Sequence, residues 1–159
     1  MKPLVLGLAL AALVRPAPAA GQQADAEQVL AVVRQLFDAM RTKDTVALRG
    51  TLQAEARLMS AGRDQAGNPV VRADPIDGFI QSVGSATRHL DEKIWDPEIR
   101  IDGNLATVWT WYAFYVDGTF SHCGVDAFQL ARTADGWKII QIADTRRREG
   151  CPETPPHAR

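Results

Sequence analysis

The stretch Leu105-Ala106-Thr107-Val108-Trp109-Thr110-Trp111-Tyr112-Ala113-Phe114-Tyr115-Val116 holds no charge, no glycine and no proline. β-Branched and aromatic residues dominate it, which suits a pleated strand. Side chains on a strand alternate between faces. One face carries Ala106, Val108, Thr110, Tyr112 and Phe114; the other carries Leu105, Thr107, Trp109, Trp111 and Tyr115. Neither face is polar, so neither is expected to be fully solvated. One face should pack on helices and the other should line a pocket or a subunit interface.

Outward from this strand, Asp102-Gly103, Asp117-Gly118 and Asp135-Gly136 read as hairpin turns. They divide the second half of the chain into strands over about 88–101, 105–116, 120–132 and 137–146. Pro97 interrupts the first of these, at a bend, bulge or edge position. Upstream the period changes. Val29, Val32, Val33, Leu36, Phe37 and Met40 form one face of an amphipathic helix, with Asp25 and Gln28 as a capping box. Asp44 caps a second, short helix. Residues 56–60 read as a short strand and 63–69 as a loop. Asp74-Pro75 opens a third helix ending near Gly84. Helices in one block and a meander of long antiparallel strands in another give an α+β domain. One strongly curved sheet wrapped over about three helices makes a cone with an apolar interior.

The first residues read as an address. Lys2 precedes an apolar run, Leu4 to Val14, that is too short to span a bilayer, and Ala17-Pro18-Ala19 fits a small-residue cleavage site. Residues 1–19 are therefore expected to be a secretory signal peptide, 20–151 the folded domain and 152–159 a disordered proline-rich tail. The expected location is periplasmic or secreted, with no membrane contact after cleavage. Removing Lys2 and Arg15 leaves 16 basic against 19 acidic residues, a charge of −3. A nucleic-acid surface would be basic, so none is expected. With 46% hydrophobic and 23% charged residues in 159, the chain can bury a core without a cofactor, and none is expected. Two cysteines in an oxidising compartment, Cys123 and Cys151, suggest one disulfide; two buried thiols are the alternative. His122, Cys123 and Cys151 lack the spacing of a strong metal site, and no metal is expected.

Phe37-Asp38-Ala39 with Lys43-Asp44, the late Gly136-Trp137-Lys138-Ile139-Ile140 and the element order together resemble the nuclear transport factor 2-like superfamily, which includes ketosteroid-isomerase-like and SnoaL-like proteins. Ser121 to Phe128 with Arg146 to Cys151 resembles secreted bacterial members grouped under a lumazine-binding label. The resemblance implies a cone fold, a cavity at its open end and frequent homodimers. It does not imply one chemistry, because the fold hosts isomerases, dehydratases, epoxide hydrolases and binding proteins.

The last hairpin locates candidate polar groups. A three-residue loop, Ala134-Asp135-Gly136, sets Leu130 against Ile140, Phe128 against Ile142 and Asp126 against Asp144. A two-residue loop sets Leu130 against Gln141 and Phe128 against Ala143, which mixes large apolar with polar or small residues. The first register is preferred. His122, Asp126, Asp144 and Arg146 then share one face at one end of an apolar surface and are the catalytic candidates. Two facing carboxylates repel, so either Arg146 or Arg148 neutralises them or they hold a proton at neutral pH. Trp109, Trp111 and Tyr115, with Tyr112 and Phe128, are the ligand-binding candidates, either as a stacking wall or as core.

The residues favour a non-catalytic protein that binds a small apolar or aromatic molecule. The alternative is a cavity enzyme using carboxylate or histidine proton transfer, of isomerase, dehydratase or epoxide hydrolase type. Asp126, Asp144 and Arg146 partly resemble the Asp-Arg-Asp set of limonene-type epoxide hydrolases, but the strand order is reversed. A third reading is an interaction module working through its sheet face.

Overall fold

The computed structural model describes residues 20–155, 157 and 158. The expected signal peptide, residues 1–19, lies outside the described residues. Helix α1 (Ala20–Thr42) is followed by α2 (Thr45–Gly50), β1 (Leu52–Arg63), β2 (Pro69–Asp74), α3 (Ile76–Ser85), β3 (Leu90–Asp102), β4 (Leu105–Val116), β5 (Thr119–Thr133) and β6 (Gly136–Thr145). The strands form one six-stranded sheet, ordered β2-β1-β6-β5-β4-β3. All neighbours are antiparallel except β1 and β6, which run parallel. The α+β cone is as the sequence implies.

Helix α1 buries Val29, Val33, Leu36, Phe37 and Met40 against the concave face, where Val108, Phe128, Leu130 and Ile139 receive them. Val32 of the same stripe is only partly buried. Asp25 does not cap this helix: it lies inside α1 and pairs with Arg132 of β5 at 2.5 Å. Asp44 does cap α2, accepting from the Val46 and Ala47 amides at 3.1 and 2.9 Å. At α3 the cap position belongs to Pro75, and Asp74 closes β2 instead.

The amino-terminal strand is longer than its sequence signal. β1 pairs with β2 across a loop organised by Asp64, whose carboxylate accepts from the Ala66 and Asn68 amides at 2.9 Å each. β2 is an exposed edge strand with no apolar alternation, which is why periodicity does not reveal it. Pro97 sits where expected, in a bulge between Trp95 and Glu98 on the opposite edge strand; Asp96 there has φ of 50°.

The hairpin β5–β6 turns through two residues, Ala134-Asp135, and not through the expected three-residue loop, and it combines the preferred register with a second one that neither expected loop gives. Asp126 faces Asp144, Phe128 faces Ile142 and Gln129 faces Gln141, as the pairing of large apolar residues requires. Nearer the turn, Thr133 faces Gly136 and Leu130 faces Ile139, not Ile140. A bulge at Ile140 reconciles the two, and it lets Trp137 and Ile139 reach the core ahead of Ile142.

Candidate functional site

Because Phe128 and Ile142 face the core, so do Asp126 and Asp144, two residues further along each strand. Asp126 is 3% exposed and Asp144 8%. Glu92 of β3 joins them. It shares its face with Leu90 and Ile94, and its carboxyl is hydrogen-bonded to that of Asp126. Two carboxyl groups can bond to each other only through a proton. Burial holds the Glu92 carboxyl up at about 7, reinforced by the Asp144 charge. Burial also holds Asp126 well above the usual carboxylate range, with the Glu92 charge and hydrogen bond as further causes.

Asp144 has a different partner. Arg146 Nε donates to its Oδ2 at 2.7 Å. Both alternatives for the acidic pair are therefore realised on different residues. Arginine neutralises Asp144, whereas Asp126 shares a proton with a third carboxyl group. Burial alone would lower the pKa of Arg146, but the Asp144 hydrogen bond and charge outweigh it and raise the value. Arg146 is half-exposed, with its guanidinium at the rim.

These groups line one end of a cleft of about 80 Å³ whose other walls are Leu36, Phe37, Met40, Leu58, Phe79, Phe128 and Ile142. The Phe37 and Phe128 rings meet edge-on at 6.0 Å. Phe37 and Glu92 also border a wider groove of about 550 Å³ between α1 and β3, flanked by Arg34, Asp38, Arg41, His89 and Asp91. Glu92 thus stands between the small cleft and the wider groove. Among the described residues, no cluster of histidine, cysteine, aspartate and glutamate has the geometry to hold a metal ion.

Tyr112 and His122 back the site. The Tyr112 hydroxyl donates to the Thr145 carbonyl at 2.8 Å, and burial followed by the Asp126 and Asp144 charges raises its pKa, so it stays protonated. The close approach of β4, β5 and β6 here depends on Gly124. A Cβ at that position would lie 1.8 Å from the Thr145 oxygen and 2.8 Å from the Tyr112 ring. His122 packs against the Tyr112 and Phe114 rings, with Nδ1 at 3.0 Å from the Ser121 hydroxyl. Burial, then the Arg146 charge, pushes its pKa down, so it is neutral at pH 7; it does not border the cleft.

The aromatic candidates divide by face. Phe128 lines the cleft and Tyr112 lies buried behind it. Trp109, Trp111 and Tyr115 lie on the opposite, convex face, and pack neither on the cleft nor on α1. Trp109 is 52% exposed, Arg147 stacks over Trp111 at 5.4 Å, and Tyr115 meets Thr154 at 3.2 Å. The Cys123–Cys151 disulfide brings the carboxy-terminal segment to that side, next to the backbone bridge between Cys123 and Arg147. It removes both thiols from any metal set with His122. His157 lies 3.9 Å from Asp96.

Glu92 is the residue that sequence reasoning missed. Its signal was the alternation Leu90, Glu92, Ile94, which puts a carboxylate between two apolar residues on one face. The adjacent Asp91 and Lys93 hide it within a charge run.

The chain is similar in structure to proteins of low sequence identity, which fixes the shared fold alone. A protein of unknown function from Mycobacterium tuberculosis matches with a TM-score of 0.68 at 13% identity, covering 84% of this chain and 78% of that one. The beta subunit of a putative aromatic-ring-hydroxylating dioxygenase from Novosphingobium aromaticivorans matches at 0.66 and 8% identity, covering 80% and 92%. A putative dehydratase from the NTF2-like family of Streptomyces avermitilis matches at 0.60 and 16% identity, covering 80% and 99%. None of the curated proteins matches in sequence. The model of the family described as "Putative lumazine-binding" matches residues 24–143. The chain therefore belongs to that family and has an NTF2-like fold.

Proposed function

We propose that the cleft binds a small, largely apolar molecule and that the Glu92–Asp126 carboxyl pair exchanges a proton with it. The observation that carries this reading is the meeting of half-buried Glu92 with buried Asp126 and Asp144 at one end of an apolar-walled cleft, where burial holds the Glu92 and Asp126 carboxyls above the usual range and keeps an acidic proton available at neutral pH. A general acid or base works best when its pKa lies near the working pH, and burial in a cleft is how a carboxyl group reaches that range. Arg146 pairs with Asp144 and not with Asp126, so the two acidic positions on β5 and β6 take different roles. Binding without turnover is the second reading, favoured by the small volume of about 80 Å³.

We also read the chain as working outside the cytoplasm. The amino-terminal pattern, the Cys123–Cys151 disulfide and the lack, among the described residues, of a helix long and apolar enough to cross a membrane are compatible with that.

Native mass spectrometry of protein purified from its own source tests for a retained molecule. Carboxyl-carbon NMR on the same protein tests for the shared proton. A retained small molecule, lost in a folded Asp126→Asn variant, supports the site. Glu92 and Asp126 both titrating below pH 5 would overturn the proton-exchange reading.

A further inference from the structure

The cleft is short of hydrogen-bond donors. Glu92, Asp126 and Asp144 bring three carboxyl groups together, and against them stand the Arg146 guanidinium and one shared proton. Nearby hydroxyls are committed elsewhere. Tyr112 donates to the Thr145 carbonyl, and Thr110 donates to the Trp95 carbonyl, each at 2.8 Å. Asp126 Oδ2 and Asp144 Oδ1 are buried and have no donor among the described residues. They belong to residues that are 3% and 8% exposed, and both residues line the cleft. A buried carboxylate oxygen without a donor is costly, so an occupant that supplies N–H groups is favoured over one that does not.

Charge points the same way. Glu92 and Asp126 share one proton and so carry one negative charge between them, while Arg146 offsets Asp144. Beyond Glu92, Asp91 adds a negative charge, whereas Arg34, His89 and Lys93 stand on the outer groove and Arg41 is paired with Asp38. The inner cleft is left with an unbalanced negative charge. Its remaining walls include the rings of Phe37, Phe79 and Phe128, which suit the apolar body of an occupant.

We propose that the occupant of the cleft is a small primary amine bound as its ammonium ion, its N–H groups on Asp126 and Asp144 and its apolar body among Phe37, Phe79 and Phe128. This rests on reading the cleft as a small-molecule site. An alcohol brings a single donor and no charge. A carboxylic acid anion brings no donor and meets like charge.

The probes are n-butylammonium, n-butanol and butyrate, titrated into the full mature protein at pH 7 and followed by amide NMR. Butylammonium should shift the amides around Asp126 and Asp144 and bind about tenfold tighter than butanol, the worth of one charge-assisted hydrogen bond. Butyrate should leave those amides unmoved. An Asp144→Asn variant should lose the preference for the ammonium over the alcohol, and Asp38→Asn, outside the cleft, should keep it. Circular dichroism checks that both variants fold; if Asp144→Asn does not, the wild-type ranking of the three probes decides alone. Butanol or butyrate binding in the cleft as tightly as butylammonium overturns the amine assignment and leaves the small-molecule site standing. If no probe moves the cleft amides, both fall.

Discussion

The two faces of β4 carry the same apolar and aromatic residues in the same alternation, yet the two sides of the sheet end up doing opposite things. On the concave face, Tyr112, Asp126 and Phe128 are almost wholly buried beneath α1 and α3. On the convex face, Trp109 stays half-exposed, Trp111 lies under the Arg147 guanidinium and Cys123 is bonded to Cys151. Helices cover one face, so its carboxylates lose water and must find a proton or an arginine. Cations and a disulfide-tethered segment meet the other, so its aromatic rings serve as platforms for them. For β4 the difference lies in what covers each face and not in its composition.

Four changes would break or sharpen this contrast. The largest effect is expected at Gly124, where the strands approach closest. Gly124→Val drives a side chain into the Thr145 carbonyl and the Tyr112 ring and should cost more than about 3 kcal/mol. Urea unfolding measures it, and a loss below about 1 kcal/mol would show that the strands can part without harm.

The disulfide comes next. A Cys123→Ser, Cys151→Ser double variant should lose about 2–4 kcal/mol, because the bridge closes a loop between residues 28 positions apart. If the two faces are independent, the carboxyl titration of Glu92 in that variant will match the wild type. A shift of the titration would show that the convex side positions the acids.

The third test uses pH. Glu92 binds its proton more tightly folded than unfolded, with a value of about 7 against an ordinary 4.5. Stability should therefore be greatest at the acid end of that window, fall as pH rises from 4.5 to 7, and level off above. The fall is on the order of 3 kcal/mol. Glu92→Gln should flatten that dependence, and chemical denaturation across pH reads it. A stability that climbs over the same range would mean that the pair is ionised in the fold.

The smallest effect is expected at Arg147. Arg147→Ala removes the cation from Trp111 and should cost about 0.5–1 kcal/mol while leaving every cleft signal unchanged. Thermal unfolding with tryptophan emission reports it; a change in the Glu92 titration would break the separation of faces.

Legibility in the sequence followed the same division. The meander was readable because β4 and the strands beside it are bounded by Asp-Gly turns, and Asp126 against Asp144 followed from matching Phe128 with Ile142. The bulge at Ile140 was not readable, since Ile139 and Ile140 are chemically equivalent and only packing chooses between them. Which face of β4 would be covered was open for a similar reason: both of its faces are apolar. Glu92 escaped because its partner Asp126 lies two strands away, and pairing within one hairpin carries no information about that distance. β2 escaped because an exposed edge strand has no buried side to impose a period.

The parallel pairing of β1 with β6 has a consequence for folding. β1 and β2 are neighbours in sequence and can pair locally, but their sole route into the sheet is β6, the last strand of the chain. Until the segment near Thr145 is in place, that hairpin has no neighbour to join, and α1 has only part of the sheet to cover. A contact that spans so much of the sequence makes its closure the slow search in folding. Truncation short of β6 should therefore leave two unpaired strand edges, on β1 and on β5, and an aggregation-prone intermediate.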